Sequence, residues 1–308
     1  MKKKYLVTGG TGFIGSALVK KLDQEEHSVR VMDNDSRGSI HRLKGLDLEW
    51  IQGDIRDLEK VKAAAQGCDS IVHLAYVNGT EYFYKEPEMV LEIAVKGMMN
   101  VLDAALYHGI KELIIASSSE VYQNPGIFPT PENVPLVVPD VYNPRYSYGG
   151  GKIITELLAI HYAKFFDRVV IFRPHNVYGP DMGNEHVIPQ LIKKMKNKDF
   201  TLQGSGKETR SFVYINDFIE AAMKVIEKGE NKGIYHIGTQ EEIPIYRLAQ
   251  LVCEQLEITP SPEFQFTQPA KGNTSRRCPD IKKLKDLGFE PKISLKEGLK
   301  LTIPWYVK

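Results

Sequence analysis

A short apolar run, Lys4-Tyr5-Leu6-Val7-Thr8, leads straight into Gly9-Gly10-Thr11-Gly12-Phe13-Ile14-Gly15, and helical spacing follows. Glycines at 9, 12 and 15 let a strand turn sharply into a helix, bring backbone N–H groups against a pyrophosphate, and allow close helix–strand packing. A second apolar run, Val29 to Met32, ends at Asp33, 18 residues beyond Gly15. A carboxylate there accepts ribose hydroxyls and repels a 2′-phosphate, so the pattern predicts NAD over NADP. Arg37 is the one nearby residue that favours NADP. The expected cofactor contacts are Gly9, Gly12, Phe13, Ile14, Gly15, Asp33 and Asn34, joined by Asp54-Ile55 and Leu74-Ala75 at the ends of the next two runs. Asp54 equally suits a helix N-cap.

The β-rich runs continue at Glu49–Ile51, Ser70–Leu74, Leu113–Ala116 and Val169–Phe172, alternating with helical patterns. Such alternation predicts a Rossmann-type α/β fold, a doubly wound parallel sheet with helices on both faces. Glu88 to His108 repeats apolar residues at helical spacing and ends at Gly109, and a second helix is expected from about Tyr146 to Phe166. Asn124 to Pro144, rich in Pro, Asn and Gly, reads as a loop over the sheet. The cofactor domain is expected over 1–172 with a return segment near 207–239, and a smaller C-terminal α/β lobe over about 173–206 and 240–308.

A net charge of +1 provides no field for gathering nucleic acid. The apolar start is too short for a signal peptide or a membrane span, so a cytoplasmic location with no membrane partner is expected. Cys68, Cys253 and Cys278 are widely spaced and form neither a disulfide framework nor a metal site; no metal is expected.

Tyr148 and Lys152, four apart, share one helix face. A phenol is a poor base at neutral pH unless its anion is stabilised, and a lysine cation with an oxidised nicotinamide supplies that stabilisation. Around them stand Ser117-Ser118-Ser119-Glu120-Val121-Tyr122, Tyr148-Gly149-Gly150-Gly151-Lys152, Arg173-Pro174-His175-Asn176-Val177-Tyr178-Gly179-Pro180 and Gly204 to Tyr214. Taken with the glycine turn, this series closely resembles the extended short-chain dehydrogenase/reductases that modify nucleotide sugars: epimerases, 4,6-dehydratases and sugar-acid decarboxylases. The resemblance spans nearly the whole chain.

That resemblance implies roles for particular residues. Tyr148 would be the base, Lys152 would hold the nicotinamide ribose and lower the tyrosine pKa, and Ser118 would bind the reacting sugar oxygen. Ser119 and Asn176 would contact the sugar, while Arg210 and Arg277 would neutralise the diphosphate, with Arg276 competing for the second place. His175 reads as packing or loop support, with no partnering carboxylate at metal-ligand spacing. Tyr76 stands where the family usually has alanine, Gln123 where it has glycine, and Ser211 where it has aspartate.

The implied chemistry begins with oxidation at sugar C4. Return of hydride to the other face gives epimerisation, the leading expectation. Removal of the C5 proton by Glu120 leads to dehydration, and a C6 carboxylate leads to decarboxylation. A net dehydrogenase and a non-catalytic NAD-binding protein are further alternatives. The family also implies a homodimer through a four-helix bundle built from the helices near 88–108 and 146–166.

Overall fold

In this computed structural model, residues 2–269 and 272–308 are described. Seven parallel strands form the central sheet: β1 Lys4–Thr8, β2 Ser28–Asp33, β3 Glu49–Gln52, β4 Ser70–His73, β5 Glu112–Ala116, β6 Arg168–Pro174 and β7 Gly233–Ile237. Their order is β7-β6-β5-β4-β1-β2-β3. The chain therefore winds one way from β1 to β3, then crosses to β4 and winds the other way. This leaves a crevice between the C-terminal ends of β1 and β4.

β4 and β5 are buried at every position, as strands covered on both faces must be. Successive side chains alternate between two cores. Tyr5, Val7, Val72 and Ile114 enter one core, with Leu18 and Phe218; Leu6, Ile71, Leu113 and Ile115 enter the other, with Val101, Leu102 and Ala159.

Four helices position the site. α1, Phe13–Gln24, follows the glycine turn, and α2, Leu58–Ala65, is capped by the Asp57 side chain accepting from the Lys60 N–H. The expected helix near 88–108 is present at 87–107, designated α3, but contains a π-helical turn over Ile93–Gly97 that periodicity did not reveal. There Gly97 lies against Ile55, and an added Cβ would come within 2.4 Å of the Ile55 side chain. Gly109, at φ +65°, ends α3. α4, Tyr146–Tyr162, carries Tyr148 and Lys152 and gives way to a 3₁₀ turn over Ala163–Phe165. Between β5 and α4 the chain is irregular apart from a 3₁₀ turn at Ser119–Val121. After β6, among the described residues, lie three small sheets; in one of them Glu242–Pro244, Thr209–Ser211 and Arg276–Arg277 run side by side and bring Arg210 and Arg277 next to each other.

Candidate active site

The C-terminal ends of the strands open into one cleft of about 420 Å³, running from Asp33 past Gly12 and Ala75 to Tyr148, Glu120 and Arg277. At its cofactor end the glycine turn is closed to side chains. A Cβ on Gly15 would stand 2.1 Å from the Gly9 carbonyl oxygen, and one on Gly9, at φ +73°, 2.6 Å from the Ala75 nitrogen. Gly12 occupies the N-cap of α1 without a capping side chain, so the first-turn amides are left for an anion. Asp33 lies on the cleft floor, accepting from the backbone N–H of Thr11 and of Asp35, both at 3.1 Å.

Asp54 does not cap α2; Asp57 does. Asp54 instead accepts from Arg56 and from Asn34, and the Arg56 guanidinium, overcoming burial, holds its carboxyl at about 2. Ile55, Leu74, Phe13 and Ile14 line the cleft beside it. This donor set suits an adenine dinucleotide: a side-chain-free turn at a helix N-terminus for the pyrophosphate and a carboxylate for the ribose. Arg37 pairs with Glu185 and lies over the Tyr82 ring, 5.7 Å from its centroid, so its charge is already engaged.

At the other end Tyr148 and Lys152 emerge from α4, 7% and 3% exposed. Tyr148 stacks on Phe83 at 4.9 Å and meets Tyr76 in a T-shaped pair at 5.1 Å. Burial pushes its phenol up to about 12, against the pull of a hydrogen bond with Ser118 and the charges of Arg37 and Arg277. The sequence assigned the lowering influence to Lys152. In the protein alone burial dominates both groups, bringing the Lys152 ammonium down to about 7 while Glu156 opposes the shift. Lys152 donates to the Ala116 carbonyl at 2.7 Å. The Ser118 hydroxyl caps the following turn by accepting from the Glu120 N–H at 3.1 Å, which fixes it beside Tyr148.

Glu120 is not a free base. It receives Arg277 at 2.7 Å and lies 3.9 Å from Arg145. Burial acts to raise its carboxyl, but Arg277, then Arg145 and Arg210, outweigh it and hold the group at about 2. Arg277 also donates to Thr274 at 3.0 Å and is buried in the cleft. Arg276 points away to Glu242, which settles which of the two faces the site. Ser119 and Asn176 line the cleft, Asn176 at φ +42° with its amide donating to the Ser211 carbonyl at 2.8 Å. Arg210 is placed differently from the sequence expectation. It sits behind Arg277, donates to the carbonyls of Thr209 and Thr274, and is absent from the cleft wall.

Sequence reasoning missed a buried network under the site. Arg173, at the end of β6, grips Glu156 with two nitrogens, at 2.8 and 2.6 Å, and also donates to Tyr122; Ser117 donates to Glu156. Tyr122 passes on to His236 at 2.6 Å. Glu156, one helical turn beyond Lys152, was the available signal. His175 is buried against His236, ring centroids 4.7 Å apart, and among the described residues neither of its ring nitrogens has a hydrogen-bond partner. Among the described residues no group of three or more His, Cys, Asp and Glu could hold a metal ion. Gln123 adopts φ +54°, the left-handed conformation that explains glycine in that place.

This sheet, glycine turn and tyrosine–lysine helix define a dinucleotide-dependent enzyme of the short-chain dehydrogenase/reductase kind. The model of the NAD dependent epimerase/dehydratase family matches residues 5–238, and the chain belongs to that family of enzymes. It is 33% identical to a UDP-N-acetyl-alpha-D-glucosaminuronate decarboxylase of Bacillus cytotoxicus, over 99% of this chain and 98% of that protein. It superposes with a TM-score of 0.89 on a UDP-glucose 4-epimerase of Thermotoga maritima solved with UDP-glucose, 29% identical over 99% of this chain and 98% of that one. A TM-score of 0.89 also relates it to a dTDP-glucose 4,6-dehydratase of Streptomyces venezuelae with NAD bound, 28% identical over 99% and 97% of the two chains.

Proposed function

We propose that this enzyme is a nucleotide-sugar 4-epimerase working through a transient 4-keto sugar. The observation that carries the reading is the Glu120–Arg277 pair. A carboxylate held at about 2 is a weak base, so the group that would take the C5 proton for dehydration is withdrawn from that task, while Tyr148 and Ser118 stay together at the cleft. The 4-keto sugar is then left to turn over and be reduced on its other face.

Gly9, Gly12, Gly15 and Asp33 would hold NAD, which when bound supplies the hydride acceptor and donor. The positive charge of its oxidised nicotinamide ring, with Lys152, would offset the burial that raises Tyr148. Ser118 then orients the C4 hydroxyl and Tyr148 takes its proton. Returning that proton from Tyr148 to the C4 oxygen completes the cycle. Arg277 meets the negative charge of the nucleotide diphosphate, with Arg210 adding its field from behind. The cofactor part spans 1–172 with the return segment that supplies β7, and the smaller lobe carrying Arg277 binds the nucleotide.

A second reading, decarboxylation of a hexuronic acid, is favoured by Arg145 beside Glu120 and by the 33% identical decarboxylase. A 4-ketone makes the C6 carboxylate a β-keto acid, which loses carbon dioxide and takes a proton at C5 without needing Glu120 as a base. Chromatography with mass spectrometry after incubation with nucleotide hexoses and hexuronic acids separates the two: a new, resolved isomer of unchanged mass supports epimerisation, loss of carbon dioxide the second reading, and loss of water would overturn both.

The enzyme is further proposed to be a cytoplasmic homodimer. Leu91, Val95, Leu106 and Tyr107 on α3, with Leu157 on α4, are exposed apolar residues on the two helices expected to pair. A monomer by light scattering at micromolar concentration would remove the dimer. No helix of the described residues is long and apolar enough to cross a membrane.

A further inference from the structure

Tyr76 enters the site from the turn after β4 and lines the cleft, with its hydroxyl turned onto α4. Its hydroxyl is fully buried and, among the described residues, has no hydrogen-bond partner. It points at Gly151, where an added Cβ would stand 2.3 Å from the Tyr76 oxygen and 2.8 Å from the Ala94 Cβ. Gly151 is therefore the vacancy in α4 that admits the ring. So placed, Tyr76 presents its face to the Lys152 ammonium, 4.0 Å from the ring centroid, and meets the Tyr148 ring at 88°.

We infer that Tyr76 is a positioning residue: its ring face holds the Lys152 ammonium and its T-shaped contact braces Tyr148, in room supplied by Gly151. The inference rests on the proposed roles of Tyr148 and Lys152. A ring face attracts a cation more strongly where water is excluded. Lys152 is such a cation, 3% exposed, with the Ala116 carbonyl as its hydrogen-bond acceptor. The hydroxyl takes no part, because it faces a glycine and an alanine methyl rather than the sugar.

Other groups near Lys152 do not substitute for the ring. Glu156, on its own helix, does favour the Lys152 cation, but it shares its charge with Arg173 and accepts from Ser117. His73, from β4, is neutral, since burial and the Lys152 charge hold it at about 3, and it is bonded to Thr8. Across the site, Arg37 and Glu120 act on Tyr148, and each has its own partner.

The test compares Tyr76→Phe with Tyr76→Leu in the NAD-loaded enzyme. Tyr76→Phe keeps the ring and should retain kcat within about threefold with an unchanged melting temperature or a higher one. Tyr76→Leu should lower kcat by about ten- to a hundredfold with little change in KM. With the ring face gone the ammonium loses its proton at lower pH, so the alkaline limb of the pH–rate profile should move down by about half a unit to one unit. A Tyr76→Leu profile superimposed on the wild type, or a Tyr76→Phe loss equal to that of Tyr76→Leu, overturns the inference. Tyr148→Phe is run alongside. Full activity in that variant sinks the underlying reading, whereas its loss with an indifferent Tyr76→Leu sinks only the role of Tyr76.

Discussion

Replacing Arg277 with methionine removes the cation that holds Glu120 ionised, and the consequence can be worked from the site. Glu120 lies at about 2 against an ordinary 4.5. That difference, 4.5 − 2, is about 2.5 units, and at about 1.4 kcal/mol per unit it corresponds to about 3 kcal/mol. A depressed carboxylate contributes this stability above its unfolded pKa and loses it as pH falls from about 4.5 towards 2. Arg277→Met removes most of the contribution at neutral pH, because burial then raises the carboxyl and only Arg145, 3.9 Å away, and the field of Arg210 still oppose it. At roughly 2 °C per kcal/mol for a chain of this size, the melting temperature at pH 7.5 should fall by about 6 °C. The gap between variant and wild type should begin to narrow above pH 4.5, as the raised carboxyl of the variant takes up its proton, and narrow further as pH falls towards 2. Adding Glu120→Gln to Arg277→Met should recover most of the loss, since the buried charge is gone. Thermal melts of the enzyme at fixed NAD concentration read all three. An Arg277→Met variant melting with the wild type at pH 7.5 would refute the reasoning.

Tyr148→Phe should lower turnover by about 10²–10⁴-fold with NAD binding largely kept, read by kcat and by calorimetry; activity near that of the wild type rules out the phenol as base. Asp33→Ala should weaken NAD and relax discrimination against NADP, and the proposed role fails if the wild type already binds NADP more tightly. Glu120→Gln should keep turnover within about tenfold, because the proposed epimerisation asks for no base at C5. Reduced nicotinamide accumulating in that variant, followed by absorbance, would instead show that Glu120 takes the proton.

The fold was legible because its signals are local. Burial of both sheet faces writes continuous apolar runs, and a backbone that must turn tightly beside Ala75 admits only glycine at Gly9. Tyr148 and Lys152 were legible for a similar reason, since helical spacing alone puts them on one face. The state of Glu120 was not, because Arg277 reaches it from 157 positions away in the sequence. Distance along the chain likewise hid the clasp of Arg37 on Glu185 and the cover that Arg277 gives Arg210. The π-turn in α3 left no mark on the periodicity, because apolar residues continue through it.

The most direct measurement follows a nucleotide hexose carrying deuterium at C4 through the NAD-loaded enzyme in ordinary water. Oxidation and return of hydride within one closed site predict a C4 epimer that keeps the deuterium at C4, with unchanged total mass. Deuterium lost to solvent, or found at C6 in a product lighter by water, would contradict the proposed epimerisation.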